Sequence, residues 1–236
     1  MRCKVLPDVT TTFCCCRITS YLFIYNHTNI IKPPPPPFIF RPCNLRDIKC
    51  IGNYVSVNSG KCNRAVRGFA PPVITVPQTR LETPAFNASY VENNLIIRGI
   101  NKCYVSEFYI NKLSGSGVLA LDCPGLGFES NRVMYQHEPL REDGIFRYHI
   151  NGAYPMIRLT TTMFKENSLD ICPAFTFAYI TALPTFQIDP TDLATENFLA
   201  PDLSLLDIFE RETFVYRAKL LFSTFVNSVI CDYGCK

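Results

Sequence analysis

The sequence has 236 residues, of which 47% are hydrophobic and 18% are charged. A chain of this length can bury a substantial core, and so apolar a composition excludes a wholly disordered protein. Its 23 Lys and Arg against 20 Asp and Glu give a net charge of +3, far from the basic excess of a nucleic-acid-binding protein, so no nucleic acid is expected as a partner.

Residues 1–37 are predicted to be a leader, followed by one folded domain at 38–236. The leader has a basic start, an apolar stretch at Ile18–Ile31 and a proline run at Pro33–Pro37. The apolar stretch is similar to a signal peptide without a clean cleavage site, and the prolines favour an extended spacer. Residues 1–68 hold ten basic and two acidic residues, whereas the rest of the chain is acidic. We expect a secreted, extracellular protein with an atypical signal.

The region 85–188 is rich in β-branched and aromatic residues, which predicts strands. Its clearest unit is a hairpin in which two apolar runs, at 104–110 and 118–123, flank the turn Ser114–Gly117. The uncharged stretch Ile171–Ile188 is of borderline length for a membrane span, but its two prolines and its β-prone composition favour strands. We therefore expect no stable membrane span.

The segment Asp202–Tyr233 contains no glycine or proline, and its apolar residues recur at helical spacing. We expect one helix, about 42 Å long at ~1.5 Å per residue, with Phe209, Tyr216 and Phe222 facing a sheet. Only a long sheet can cover such a helix. The predicted fold is therefore α+β: an elongated, strongly curved antiparallel β-sheet wrapped around one long C-terminal helix, as a single tubular unit with an apolar channel.

Catalytic and metal-binding motifs are missing from the sequence. The three histidines are scattered, and no HExxH, G-x-S-x-G or phosphate-binding loop is present. The spacing of Cys231 and Cys235 has no matching second pair, as a zinc site would require. We expect no enzymatic activity, no metal and no cofactor.

Disulfide bonds and glycans are expected if the protein is secreted. Cys43 and Cys50 bracket a short segment and are the predicted disulfide. The sequons at Asn26 and Asn87 agree with a secretory route, and Asn87 is the predicted glycosylation site. The pairing of six further cysteines is left open, and these are Cys62, Cys103, Cys123, Cys172, Cys231 and Cys235.

Three segments carry a resemblance to a known family: PPFIFRPCNLRDIKCI at 36–51, GFAPPVITVP at 68–77 and NNLIIRGINKCYVSEFYI at 93–110. Together with the C-terminal helix, they resemble the insect juvenile-hormone-binding and takeout-like family over about residues 37–231. The resemblance implies a tubular fold that carries a hydrophobic ligand, and it maps the family's cysteine pair onto Cys43 and Cys50.

The expected function is a secreted carrier of a small hydrophobic ligand, such as a terpenoid hormone or a fatty-acid-like lipid, held in an apolar channel. A receptor or further carrier partner is left open. The alternative is a non-enzymatic structural or protein-interaction module of the same fold with a filled core. Two tyrosines are expected to orient the ligand, and the channel lining is expected to comprise apolar residues of the strands and the helix: Tyr104 and Tyr179, with Phe108, Ile110, Leu119, Phe128, Phe177, Phe209 and Phe225.

Overall fold

The computed structural model describes residues 38–64, 68–83, 87–165, 168–180, 182, 184–200 and 204–235. The predicted leader at 1–37 lies outside these residues, together with its proline run and the sequon at Asn26. The division of the chain into a leader and one domain therefore stays a prediction.

An antiparallel β-sheet dominates the described residues. Its longest strands, β6 (Ser116–Gln136) and β7 (Gly144–Phe164), pair from end to end. The shorter strands of this sheet are β1 (Ile39–Phe40), β3 (Val73–Thr83), β4 (Ala88–Arg98), β5 (Tyr104–Asn111), β8 (Thr176–Ile180) and β9 (Thr185–Pro190). A separate two-stranded ladder joins β2 (Asn63–Arg64) to β10 (Cys231–Asp232).

Because β6 and β7 are much longer than their neighbours, each pairs with different strands at its two ends. The first part of β6 pairs with β5 and its last part with β4. In the same way, the first part of β7 pairs with β9 and its last part with β8. The edges continue through β1 beside β5 and through β3 beside β4. The result is an open antiparallel sheet, as the predicted fold class requires, whereas its curvature into a tube stays a prediction.

The predicted hairpin is formed by β5 and β6. Asn111 pairs with Ser116 where the two strands meet the turn. Gly115 has a φ of +64°, a backbone conformation that residues with a Cβ rarely adopt. The glycine therefore allows the chain to reverse at this point, and the prediction is confirmed.

Three helices pack with the sheet within the described ranges: α1 (Ile48–Ser59), α2 (Leu193–Leu199) and α3 (Ser204–Val229). The carboxylate of Asp47 accepts a hydrogen bond from the backbone N–H of Cys50 and so caps the first turn of α1. A 3-10 turn at Ile100–Lys102 joins β4 to β5.

One face of α3 is buried against the sheet. Four of its side chains recur at helical spacing and are at most 4% exposed, namely Phe214, Ala218, Phe222 and Phe225. The prediction that Phe222 faces the sheet is confirmed, but the same prediction for Tyr216 is wrong, since this side chain is 50% exposed. Tyr216 lies two positions, and thus about half a turn, from the buried Phe214 and Ala218.

The helix ends earlier than the predicted Tyr233. It stops at Val229, after which Cys231 and Asp232 form β10. Cys231 is bonded to Cys62, and the backbone on either side of this bond pairs through β2 and β10. The partner of Cys231 is 169 residues away in the sequence, which local apolar spacing does not reveal.

All eight cysteines within the described ranges form disulfides. The predicted Cys43–Cys50 bond is confirmed. The other three bonds, whose partners the sequence left open, are Cys62–Cys231, Cys103–Cys123 and Cys172–Cys235.

The uncharged stretch Ile171–Ile188 contains strands β8 and β9, as its composition predicted. None of the helices in the described part of the chain has the length and apolar character needed to cross a membrane.

Candidate functional site

Three charged side chains meet in the interior between the sheet and α3. Glu92 on β4 lies opposite Arg132 on β6, and its Oε1 atom accepts a hydrogen bond of 2.7 Å from Arg132 Nη2. Arg217 reaches the same carboxylate from α3: its Nε donates to Oε2 at 3.2 Å, and its Nη2 donates to Oε1. We call Glu92, Arg132 and Arg217 the buried ion triad, because each is at most 3% exposed.

The charge of Glu92 is maintained by its two arginine partners. Burial alone raises the pKa of the carboxyl group, but the adjacent guanidinium groups of Arg217 and Arg132 lower it further than burial raises it. The resulting pKa is about 2, well below the ordinary value of 4.5. Glu92 is therefore ionised at neutral pH, and the buried ion triad carries two positive charges and one negative charge.

Aromatic rings surround both guanidinium groups. The Arg132 guanidinium lies 5.4 Å from the ring centre of Tyr90 and 5.7 Å from that of Tyr148. The Arg217 guanidinium lies 5.6 Å from the ring centre of Phe128. Ring faces attract cations, so these contacts partly compensate the excess positive charge.

Several residues of the predicted channel lining do lie in this interior. Phe108, Leu119 and Phe128 are almost completely buried, and Ile110 is partly buried. Phe108, Leu119 and Phe128 pack within one continuous core that also contains the buried rings of Tyr154 and Phe214. The structure thus brings these residues together as core, and their role in ligand binding stays a proposal.

Two predicted lining residues point away from the interior. Phe177 and Tyr179 on β8 are 56% and 57% exposed, so their expected inward orientation is wrong. The inward positions of β8 begin with Thr176, whose hydroxyl lies 2.9 Å from that of Thr161 in the buried layer. Successive side chains of a strand alternate between its faces, so a shift of one position places both aromatic rings outside. Phe209 lies in α3, outside the described side chains.

Two other predicted residues, Tyr104 and Phe225, line a groove of about 590 Å³ beside the start of α1. An adjoining cavity of about 380 Å³ continues along the helix and shares three lining residues with the first. We call both cavities together the α1 groove. The shared residues are Ile48, Gly68 and Val229.

A serine, a histidine and an aspartate form a hydrogen-bonded chain where β4 meets the turn between β6 and β7. Ser89 Oγ lies 3.1 Å from His137 Nε2, and His137 Nδ1 lies 3.0 Å from Asp143 Oδ2. Hydrolase triads have the same order of groups. Ser89 is completely buried, however, so its hydroxyl is not accessible to a substrate carbonyl. The arrangement therefore links strands and is not a nucleophilic site.

Within the described part of the chain, one group of three side chains has the spacing of metal ligands, but it does not form a metal site. The carboxylate of Asp170 lies near the sulfur atoms of Cys172 and Cys235. Those two sulfurs are joined in a disulfide and are not available as thiolates.

Comparison with known proteins identifies the family. Residues 39–235 match the fibroin P25 family. The chain belongs to this family. Fibrohexamerin of Galleria mellonella is 52% identical to this chain over 202 residues, which are 86% of this chain and 92% of fibrohexamerin. Among solved structures, takeout 1 of Epiphyas postvittana is similar with a TM-score of 0.45 and 9% identity, over 80% of this chain and 94% of that one.

The fibroin P25 match contains the buried ion triad, the α1 groove and the four disulfides. Specific membership of the juvenile-hormone-binding family is not confirmed. That this chain is not an enzyme stays a prediction.

The buried ion triad was not predicted from the sequence. Glu92 and Arg132 are 40 residues apart, and Glu92 and Arg217 are 125 residues apart. The one available signal was an acidic residue and a basic residue at inward positions of predicted strands, and such positions are normally apolar.

Proposed function

We propose that the protein is a secreted, non-enzymatic binding partner of a fibroin chain. The observation that carries this proposal is the 52% identity to fibrohexamerin over most of both proteins, within a family described as fibroin P25. This proposed function corresponds to the protein-interaction module that the sequence analysis gave as the alternative to a carrier.

The filled interior supports an interaction role over a ligand channel. The rings of Phe128 and Tyr154 lie 5.1 Å apart, and those of Tyr154 and Phe214 lie 4.6 Å apart, between the sheet and α3. The buried ion triad occupies the same layer. A ligand in this position would have to displace rings and charged groups that satisfy one another, at a large cost in free energy.

The state of the cysteines indicates how a partner is held. The eight cysteines of the described ranges are paired within the chain, and this leaves none of them free to form a bond to another protein. We therefore expect the domain at 38–236 to bind fibroin non-covalently.

Co-expression with the fibroin of the same animal in insect cells tests the proposal. We expect the two proteins to leave the cell together, to co-elute in gel filtration and to separate in SDS without reductant. Secretion of this protein alone, with fibroin unbound in the same medium, would contradict the proposal. A complex that separates only after reduction would contradict its non-covalent character.

A carrier of a small hydrophobic ligand is the second candidate, and the α1 groove favours it. The cavity of about 590 Å³ at one end of the groove lies in the usual size range of small-molecule sites, and Phe69, Val105 and Phe225 contribute apolar surface to it. Saturable binding of a fluorescent fatty acid, with a rise in the melting temperature, would support this candidate. Absence of any such binding would exclude it.

We also propose that Asn87 carries an N-linked glycan. Asn87 is exposed on the turn between β3 and β4, and its side-chain amide donates a hydrogen bond to the carbonyl oxygen of His137. An N-linked sugar leaves one amide N–H, so this hydrogen bond is compatible with the glycan. We expect peptide N-glycosidase F to lower the apparent mass of the secreted protein, and N87Q to remove the part of that shift due to this site. An unmodified Asn87 peptide in mass spectrometry would contradict this prediction.

A further inference from the structure

We propose that the α1 groove binds a segment of the partner protein in which apolar side chains are flanked by acidic residues. This inference rests on the proposed function, because it identifies where a fibroin chain binds and what kind of segment binds there. Shape, surface chemistry and charge each support it.

The shape of the groove suits an extended chain. Its two cavities meet at Ile48 and Val229, and the second follows α1 past Gly52 to Ser56. Ile48 and Ser56 are eight positions apart on α1 and so lie about 12 Å from each other along the helix axis, at ~1.5 Å per residue. At ~3.3 Å per residue, an extended segment of about four residues covers this part alone.

The chemistry changes along the groove. The end near the 3-10 turn is apolar and includes Phe69, which is 67% exposed, together with Val105 and Phe225. The end along α1 presents the polar side chains of Asn53 and Ser56. An occupant therefore needs apolar side chains at one end and hydrogen-bonding groups at the other, and a peptide supplies both.

The charge around the groove is positive. Arg46 lines its apolar end, Lys49 lines its polar end, and Lys102 adjoins the lining residue Asn101. None of these three cations forms an ion pair with any residue that the structure describes.

The segment 38–64, which contains α1, has an excess of basic residues. Its one acidic residue is Asp47, whose carboxylate accepts the capping hydrogen bond of α1. Lys and Arg occur five times in the same segment. Charge complementarity therefore selects an acidic partner segment, and it should raise the association rate most at low salt.

The first experiment measures binding of purified fibroin to the intact protein by surface plasmon resonance. We expect the double variant R46E/K49E to bind about tenfold or more weakly at low salt, with a smaller difference at high salt. The matched control is K165E, an exposed cation after the far end of β7, which should bind within about twofold of the unmodified protein. Equal losses in R46E/K49E and K165E would overturn the inference.

The second experiment locates the partner segment. A photoreactive p-benzoylphenylalanine replaces Phe69 at the groove, or Leu140 on the exposed loop between β6 and β7 as a control. We expect crosslinking to fibroin from position 69 only, to a peptide that contains apolar residues and more than one Asp or Glu. Crosslinking only from position 140, or to a basic peptide, would overturn the inference.

These results separate the inference from the proposed function on which it rests. If the unmodified protein does not bind fibroin at all, the proposed function fails. If it binds and R46E/K49E binds equally well, the proposed function stands and the groove is not the site. If oleate binds the groove saturably and fibroin binding is unaffected by it, the occupant is a lipid and the inference fails.

Discussion

Removal of the Cys62–Cys231 bond by the double substitution C62A/C231A is expected to lower the free energy of unfolding by about 5 kcal/mol. The bond joins residues 169 positions apart, so it constrains most of the unfolded domain. It also connects the end of α3, through β10, to the segment that follows α1. Both cysteines are buried, but each replacement removes only one sulfur atom, so the cavities left behind are small. Urea unfolding of the oxidised protein, followed by circular dichroism, measures the change.

The matched control is C43A/C50A, which removes a bond between residues only seven positions apart. A short loop restricts the unfolded chain much less, and we expect a loss of about 2 kcal/mol. Equal losses in the two double variants would contradict the explanation from loop length. If C62A/C231A is not secreted, limited proteolysis of both variants within cells still compares them, and the prediction fails if C43A/C50A is degraded faster.

Local features of the fold were predictable from the sequence, whereas long-range ones were not. The cap at Asp47, the Cys43–Cys50 bond and the hairpin at Gly115 each depend on residues a few positions apart. The buried ion triad and the Cys62–Cys231 bond join residues between 40 and 169 positions apart. Their partners are determined by how the strands and helices pack, and periodicity within one element contains no information about that.

Strand register explains the wrong orientation of β8. The aromatic residues Phe177 and Tyr179 look like core, because large rings usually gain from burial. The structure instead places Thr176 inward, opposite Thr161 on β7, where their two hydroxyls satisfy each other. Choosing between the two faces of a strand requires knowledge of the neighbouring strand.

The location of the candidate site changed for a related reason. The sequence suggested an apolar channel, but the interior between the sheet and α3 contains the buried ion triad. Two of the nine predicted lining residues, Tyr104 and Phe225, instead meet at the α1 groove. The groove forms where the start of β5, α1 and the end of α3 come together. The sequence pattern of one element cannot predict it, because the groove depends on how all three pack.

Substitution of Glu92 by glutamine is expected to destabilise the protein by about 3–5 kcal/mol at neutral pH. The amide keeps the shape of the carboxylate but leaves the guanidinium groups of Arg132 and Arg217 buried without their negative partner. Thermal or urea unfolding measures this loss. The control E82Q alters an exposed carboxylate that pairs with Arg80, and we expect a change below about 1 kcal/mol.

The pH dependence of unfolding gives the sharper test of the buried ion triad. The folded protein holds the pKa of Glu92 at about 2, below the ordinary value of 4.5, so the folded state binds this proton less readily than the unfolded state. The resulting stabilisation is complete above about pH 4.5 and is lost as the pH falls towards 2. A difference of this size corresponds to about 3 kcal/mol.

Other carboxylates are also protonated over the same acidic range. The prediction therefore concerns how the pH dependence of stability differs between E92Q and the unmodified protein. The pKa of Asp122 is lowered chiefly by its hydrogen bond to Arg158, and that group titrates in both proteins. E92Q should therefore show a shallower loss of stability between pH 4.5 and 2 than the unmodified protein. If E92Q does not fold, the variant E92M/R132M/R217M serves instead, because apolar replacement of a complete buried ion group is often neutral or stabilising. A folded variant of either kind that keeps the full acid dependence would show that Glu92 is not held ionised by its two arginines.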